Sequence, residues 1–273
     1  MVISKFMNKS FYERLFSGII LVIIALITII LGNDILLVTV GIVSLIGLYE
    51  MNRVFGIEKY ATGILSYIAV IIYYAMLRFD MMTYVPFLIV ALLIACMAIY
   101  VFEFPKCKTE QVMAAIFGTI YVAVMLSFVY LVRMGNNGAY NVWLIFLCSW
   151  GSDTCAYVFG VAFGKHKMAP VLSPKKSIEG AIGGVVGAAV LGAVYASVFA
   201  DKITINNPVI VFAVICAVGA LISMVGDLAA SAIKRNHDIK DYGRLIPGHG
   251  GIMDRFDSVI YVAPVIWILV QIF

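Results

Sequence analysis

The chain has 273 residues and a formal net charge of +4, and 63% of its residues are apolar whereas only 12% are charged. Soluble domains typically contain about 45–50% apolar residues. A chain with so few polar groups could not cover its apolar surface in water, which excludes a soluble globular protein and predicts an integral membrane protein.

Long apolar runs predict an all-α, polytopic helical bundle with about nine transmembrane helices. The second, third and last runs are short, so eight spans is an alternative. Basic residues precede the first run but no cleavage pattern comes after it, so we expect a retained span and no removed signal peptide. The runs cover residues 15–31, 35–50, 61–77, 84–102, 112–132, 142–163, 178–199, 208–233 and 258–273.

The distribution of basic residues predicts the orientation of these helices. If the N-terminus is cytoplasmic, all 19 Lys and Arg residues except Arg78, Arg133 and Lys202 fall in cytoplasmic segments. Cytoplasmic loops of membrane proteins carry an excess of Lys and Arg. We therefore expect an N-in and C-out topology, which also favours an odd number of spans.

The five Cys residues form no C-x-x-C pair, and most of them lie inside apolar runs. We expect buried free thiols, without a disulfide framework or a zinc site. The chemistry of the chain is therefore expected to come from its acids and its cations.

The acidic residues divide the chain into two parts of one continuous membrane domain. In residues 1–140 the spans are almost purely apolar, and the acids, Glu50 among them, are expected in loops or at span ends. In residues 141–273 the spans themselves carry acids, which are costly inside a membrane and need a partner or a function. We predict that residues 1–140 form a scaffold, with lipid access or oligomer contacts, and that residues 141–273 are catalytic.

The sixth span and the loop after it contain the first candidate site residues. Ser149, Asp153 and Tyr157 are four residues apart, which predicts one helical face with Asp153 pointing inward. The basic loop then enters the next span, whose N-cap is either Ser173, with a proline at the first helical position, or Ser177. Free N–H groups at that helix start, among lysines, would suit a phosphate. The alternative is that these lysines only set the topology.

The seventh and eighth spans carry patterns of different kinds. The seventh is rich in glycine with small-x-x-x-small spacing, which predicts close helix packing. In the eighth, Ser223, Asp227, Ser231 and Lys234 form one polar stripe, which must face a wet cavity or a partner. An internal ion pair between Asp227 and Lys234 is the alternative interpretation.

The segment from residue 231 to 257 is the most polar part of the chain. It contains a Pro-Gly-His-Gly-Gly turn, and Asp254 and Asp257 come next at a predicted helix start, on one side of the helix. Helix capping by one of these acids is the simpler interpretation. Acids, many cations and glycine-rich backbone, with too few His residues for zinc, predict Mg²⁺ and a phosphoryl- or nucleotidyl-transfer site.

This segment carries a family resemblance. From Ser231 to Asp257 the pattern S-x-x-K-R-x-x-x-x-K-D-x-G-x-x-x-P-G-H-G-G-x-x-D-R-x-D resembles the signature of the phosphatidate cytidylyltransferases, also called CDP-diacylglycerol synthases. The blocks at 153–157, 164–167 and 173–180 are similar too, except that Cys155 stands where the family usually has Gly. The resemblance implies an enzyme of phospholipid biosynthesis that converts CTP and phosphatidic acid into CDP-diacylglycerol and pyrophosphate, at the cytoplasmic face of a bacterial membrane.

The resemblance also implies partners and residue roles. CTP and phosphatidic acid are the expected partners, nucleic acid is not, and a homodimer is left open. Mg²⁺, with a second cation left open, would be held by Asp227, Asp254 and Asp257. The implied catalytic residues are Asp227, Lys234, His249, Asp254 and Arg255. The implied substrate contacts come from Asp153, Lys175, Lys176, Ser177, Glu179, Ser231, Arg235, Lys240, Asp241, Gly248, Gly250 and Gly251.

The expected reaction is an in-line attack of the lipid phosphate on the α-phosphorus of CTP. A phosphate monoester has a second pKa of about 6, so the nucleophile is already anionic and His249 is expected to donate a hydrogen bond rather than accept a proton. One alternative is a related CTP-dependent enzyme acting on a polyprenol or an archaeal lipid. An ion-coupled transporter is the alternative from another class, although transporters typically repeat their polar helices in both halves.

Overall fold

The computed structural model describes residues 9–246 and 250–273. Over these residues the chain consists of eleven α-helices and one short antiparallel hairpin. Eight helices there are long and apolar enough to cross a membrane, and Gly18–Leu31 is a shorter apolar helix. The prediction of a polytopic helical membrane protein is confirmed. The second, third and last spans, which looked short in sequence, are helices of 22, 18 and 20 residues.

Two compact units make up the described chain. The first contains the described residues up to Ser127 together with the segment Asp241–Arg255. A buried hydrogen bond joins Ser44 and Tyr74 in this unit, at 2.7 Å between their hydroxyl oxygens. Its helices are α1 (Lys9–Leu31), α2 (Asn33–Val54), α3 (Ala61–Arg78), α4 (Val85–Phe102) and α5 (Thr109–Gly118), and a π-helical stretch (Thr119–Val124) continues α5.

The second unit contains Phe128–Lys240 and Phe256–Phe273. The boundary between the two units falls after Ser127, whereas the sequence predicted a division near residue 140. The segment Asp241–Arg255 belongs to the first unit, although it follows α10 in the chain. The elements of the second unit are most of α6 (Met125–Met134), then α7 (Gly138–Phe146), α8 (Ser152–Phe163), β1 (Lys167–Ala169), β2 (Ser173–Ser177), α9 (Ile178–Val198), α10 (Pro208–Asn236) and all but the first turn of α11 (Met253–Ile272).

A π-helical turn interrupts the sixth span. It covers Leu147–Gly151 and joins α7 to α8. A π turn adds a residue to the helical repeat and so rotates the next part of the helix about its axis. Ser149 is buried, whereas Asp153 and Tyr157 are exposed and line one cavity. The prediction of a common face therefore holds for Asp153 and Tyr157 but not for Ser149.

Glycines of α9 allow its neighbours to approach closely, as the small-residue spacing predicted. A β-carbon at Gly184 would lie 3.0 Å from Cβ of Ala156 in α8. A β-carbon at Gly187 would lie 2.5 Å from Sγ of Cys155, and one at Gly192 would lie 2.7 Å from the carbonyl oxygen of Phe212 in α10. These glycines therefore bring the two charged helices α8 and α10 against α9.

The cysteines agree with their prediction, with one difference. All five are free thiols, and Cys96, Cys107, Cys148 and Cys216 are buried. Cys155 is only half-buried. It faces Gly187 at the contact between α8 and α9.

Gly192→Ala should destabilise the second unit. The added methyl group meets backbone, which cannot rotate away, so we expect a loss of about 1–2 kcal/mol in the free energy of unfolding. Thermal unfolding in detergent measures the effect. Gly135→Ala is the matched control, because its nearest neighbours would lie at 3.5 Å, and it should leave the unfolding temperature unchanged. Equal stability of the two variants would contradict the packing role.

Candidate active site

The basic loop after α8 is a β-hairpin. Strands β1 and β2 pair antiparallel, with Lys167 opposite Ser177 and Ala169 opposite Ser173. Ser173 and the proline after it therefore lie in a strand, and the expectation that they start a helix is wrong. The hairpin places Lys175 and Lys176 directly before α9.

Ser177 is the N-cap of α9, which confirms the other alternative. Its hydroxyl accepts a hydrogen bond from the N–H of Gly180 at 3.1 Å. The N–H of Ile178 donates to the carbonyl of His166 at 2.9 Å, and the N–H of Glu179 lies against its own carboxylate. The first N–H groups of α9 are therefore occupied, and the free N–H groups predicted for a phosphate are not present there.

Glu179 holds the connection between α8 and the hairpin. Its carboxylate accepts hydrogen bonds from the N–H of Lys165 at 3.1 Å and the N–H of His166 at 3.2 Å. The ring Nδ1 of His166 lies 2.6 Å from the other carboxylate oxygen. With these partners, Glu179 fixes the shape of the loop that carries the lysines.

A cavity of about 410 Å³ lies where α8, the hairpin, α9 and α10 meet. Ligand sites typically have volumes of about 300–1,000 Å³, mostly apolar walls and a few polar groups. Here the apolar lining comes mainly from α8 and α9, and the glycines at 160 and 180 let these two helices approach closely at the cavity wall. The charged and polar lining residues are Asp153, Lys175, Lys176, Ser177 and Asp227.

Asp227 carries the principal charge contact of this cavity. Its Oδ2 forms a half-buried salt bridge with Nζ of Lys176, and the hydroxyl of Ser231 donates to its Oδ1 at 3.4 Å. The salt bridge to Asp227 thus comes from Lys176 on the hairpin, and Lys234 on the same helix as Asp227 interacts electrostatically with Asp257. Of the polar stripe of α10, Asp227 lines this cavity, as the spacing predicted for that residue.

Asp257 lies beside this group on α11. It is buried, its Oδ1 accepts a hydrogen bond from the N–H of Ser258 at 2.8 Å, and it interacts electrostatically with Asp227, Asp153 and Lys234. Two or more acids close together in a buried place repel one another, and a cation stabilises them. The second unit therefore contains a cation-attracting group of acids beside a pair of lysines.

The remaining predicted residues lie at the ends of α10 and α11 or in the segment between them. Two of them, Gly248 and His249, lie outside the described residues, and their predicted roles stay predictions. The exposed ones are Arg235, Lys240, Asp241 and Arg255.

Asp254 organises the part of the signature segment (residues 231–257) that belongs to the first unit, Asp241–Arg255. It is buried, and its Oδ2 accepts hydrogen bonds from the N–H of Tyr242 at 2.8 Å and from the N–H of Gly251 at 3.0 Å. Gly250 has a φ of +84°, and a β-carbon there would lie 2.8 Å from the same oxygen. Gly250 is thus needed for close approach to Asp254, and a β-carbon at Gly251 would instead overlap the carboxylate of Glu50.

Glu50 was missed as a functional candidate. It lies near the end of α2, is only 4% exposed, and accepts hydrogen bonds from the N–H groups of Ile252 and Met253. Glu50 lies near a span end, as predicted for the acids of the first 140 residues. Its burial was not predicted. The signal that could have found it is a lone acid among apolar residues, since an acid inside a span marks a functional site.

The donor set fits a hard cation. Carboxylate oxygens are the ligands that Mg²⁺ prefers, and Asp227 and Asp257 interact electrostatically. Across residues 9–246 and 250–273, no three His, Cys, Asp or Glu side chains are placed to hold a metal ion by themselves. Mg²⁺ typically takes only one or two carboxylates and completes its shell with substrate phosphates and water, so two acids suffice.

Comparison with known proteins decides the family. The model of the cytidylyltransferase family matches residues 12–273. The chain belongs to the cytidylyltransferase family. The phosphatidate cytidylyltransferases of Staphylococcus haemolyticus and Staphylococcus aureus are each 34% identical to it over 94% of this chain and 97% of their own length. That of Staphylococcus saprophyticus is 36% identical over 54% of this chain and 55% of its own length.

As a member of the cytidylyltransferase family, the chain must bring together a nucleotide and a second substrate. The match extends over both structural units, including the helices of the first 140 residues. The resemblance seen in the signature segment is therefore confirmed for nearly the whole chain.

Ser177→Ala should weaken the start of α9. Loss of an N-cap hydroxyl typically costs about 1 kcal/mol, so we expect a lower unfolding temperature in detergent. Ser173→Ala is the control, because Ser173 lies in β2 and caps no helix. A larger loss of stability from the control would indicate that the helix starts at the earlier serine.

Proposed function

We propose that this chain is a phosphatidate cytidylyltransferase, which converts CTP and phosphatidic acid into CDP-diacylglycerol and pyrophosphate. The observation that carries the proposal is the similarity to relatives of that name over nearly the whole of both chains. The charged cavity beside a membrane-spanning bundle supports it, because the reaction joins a soluble, highly anionic nucleotide to a lipid.

In the proposed reaction, a phosphate oxygen of phosphatidic acid attacks the α-phosphorus of CTP. A bond forms between that oxygen and the α-phosphorus, and the bond to the oxygen that bridges the α- and β-phosphates breaks. Pyrophosphate leaves with the electron pair. The attacking phosphate is anionic near neutral pH, so the protein needs to position and neutralise the reactants rather than to remove a proton.

The lysines of the hairpin supply positive charge for this purpose. Lys175 and Lys176 line the cavity, and the salt bridge to Asp227 holds the ammonium group of Lys176 at the cavity wall. Lys234 lies in the last turn of α10 and interacts electrostatically with Asp257. Fixed cations of this kind stabilise charge that develops on transferring and leaving phosphates.

We further propose that Asp227 and Asp257, which belong to the same unit, hold Mg²⁺; the metal role of Asp254 stays a prediction. When bound, Mg²⁺ would neutralise negative charge on the nucleotide phosphates and the leaving pyrophosphate. The electrostatic interaction between Asp227 and Asp257 supports these two residues.

Asp227→Asn should lower turnover strongly. The substitution removes both the counter-charge of Lys176 and a proposed metal ligand, so we expect kcat for pyrophosphate release to fall by about 100-fold or more. The measurement uses purified protein in detergent with CTP, phosphatidic acid and Mg²⁺. Asp34→Asn is the control: it also removes an acid from an ion pair, with Arg78 in the first unit, and should leave kcat unchanged.

The same assay separates the alternatives. CTP should be used in preference to other nucleotides, and phosphatidic acid in preference to polyprenols or archaeal lipids. In a separate thermal-unfolding experiment, Mg²⁺ should increase the stabilisation by CTP in the wild type but not in Asp227→Asn. Retained turnover in Asp227→Asn would contradict the metal role, and preferential use of a polyprenol would contradict the proposed substrate.

We propose that this site faces the cytoplasm, where CTP is made. The excess of Lys and Arg on one side of the bundle supports the orientation. In intact cells, Lys202→Cys should react with a membrane-impermeant maleimide, whereas Lys240→Cys should react only after permeabilisation. Both positions are exposed, and the chain with its five native Cys serves as the background control. The reverse pattern would contradict the orientation.

A further inference from the structure

Glu50 is a carboxylate buried within a membrane-spanning helix. It lies in α2, and only 4% of the residue is exposed. A buried carboxylate is costly unless hydrogen bonds or opposite charges stabilise it. The groups that stabilise this carboxylate therefore indicate the role of Glu50.

Both oxygens of Glu50 bind the start of α11. The N–H of Ile252 donates to Oε1 at 3.1 Å, and the N–H of Met253, the first residue of α11, donates to Oε2 at 2.9 Å. The first N–H groups of a helix have no partner within the helix, and negative charge is favourable at that end. Glu50 thus caps a helix that begins about 200 residues later in the chain.

Glycine backbone surrounds this carboxylate. A β-carbon at Gly243 or at Gly251 would overlap Oε1 of Glu50. The N–H of Gly251 is bound by Asp254, which also binds the N–H of Tyr242. The consecutive N–H groups of Gly251, Ile252 and Met253 are therefore all bound by the carboxylates of Glu50 and Asp254. Asp254 also binds the N–H of Tyr242, so the same two carboxylates connect the backbone near residue 242 to the start of α11.

This geometry constrains Asp254. The first turn of α11 contains Asp254, so the place where the helix begins sets the direction of its side chain. Since Glu50 fixes that beginning, a shift of Glu50 moves Asp254. Both oxygens of Glu50 face backbone N–H groups, which distinguishes it from a group that would contact the substrate.

We infer that Glu50 is a positioning residue for the transfer reaction: by capping α11 it holds the signature segment and Asp254 in the reactive arrangement. The inference rests on the proposed function. It assigns to the apolar first part of the chain the positioning of Asp254, which the resemblance places among the catalytic residues, in addition to its predicted role as a membrane scaffold.

Glu50→Gln tests the inference. Glutamine keeps the size of the side chain, but its NH₂ group faces a backbone N–H, so one of the two hydrogen bonds is lost. We expect kcat per folded protein to fall about 10- to 100-fold, because small displacements of reacting groups have effects of this size. KM for CTP should stay within about threefold, since the cavity lysines are on other elements. Glu58→Gln, outside the helices of the same unit, is the matched control and should match the wild type.

A merely structural role gives a different result. In that case the unfolding temperature falls but kcat of the folded fraction stays within twofold of the wild type, and the inference is overturned.

Hydrogen exchange provides a readout that does not need activity. The amides of Gly251, Ile252 and Met253 should exchange faster in Glu50→Gln, whereas those of α9 should not change. Unchanged exchange at the three amides overturns the inference.

A second pair of variants keeps the test decisive if Glu50→Gln does not fold. Gly243→Ala places a methyl group against Oε1 of Glu50 and should lower kcat. Glu50→Asp withdraws the carboxylate by one methylene from the N–H groups of Ile252 and Met253, so it should also lower kcat per folded protein. Wild-type kcat in the folded fraction of either variant overturns the inference. If the wild type releases no pyrophosphate from CTP and phosphatidic acid, the proposed function fails, and hydrogen exchange still decides the role of Glu50.

Discussion

A carboxylate at the edge of an apolar bundle is stable only when N–H groups or cations surround it, and this requirement shapes the polar clusters of each unit. Asp227 is paired with Lys176, Glu179 holds the loop before the hairpin, Asp254 binds two backbone N–H groups, and Glu50 caps α11. Each acid is thereby tied to the segment that carries other candidate residues. The polar groups of the site are positioned by one another, and the helices supply the frame.

Close backbone approach is the second constraint, because these pairings need room. Glycines in α9 let α8 and α10 contact it, which brings the lysines before α9 to the acid on α10. Glycines in the signature segment similarly let backbone approach Glu50 and Asp254. The same residue type therefore serves packing in one unit and carboxylate binding in the other.

The features that depend on composition and on local spacing could be predicted from the sequence. Apolar runs predicted the spanning helices, the small-residue spacing of α9 predicted its packing, and Ser177 was one of two predicted caps. Three features depend on contacts between distant residues or on irregular backbone, and these were missed. A π turn at Leu147–Gly151 interrupts the span that carries Ser149 and Asp153, Lys176 forms a salt bridge with Asp227, and Glu50 binds N–H groups far along the chain.

The separation in sequence between Glu50 and Ile252, 202 residues, also has a consequence for biosynthesis. Chains grow at about 5–20 residues per second, so about 10–40 seconds pass between the synthesis of α2 and that of the N–H groups that Glu50 binds. During this interval α2 is in the membrane with a carboxylate that lacks its final partners. The first unit is complete only after residues 241–255 have been synthesised. A chain interrupted after α10 would therefore leave the carboxylate of Glu50 without its cap contacts.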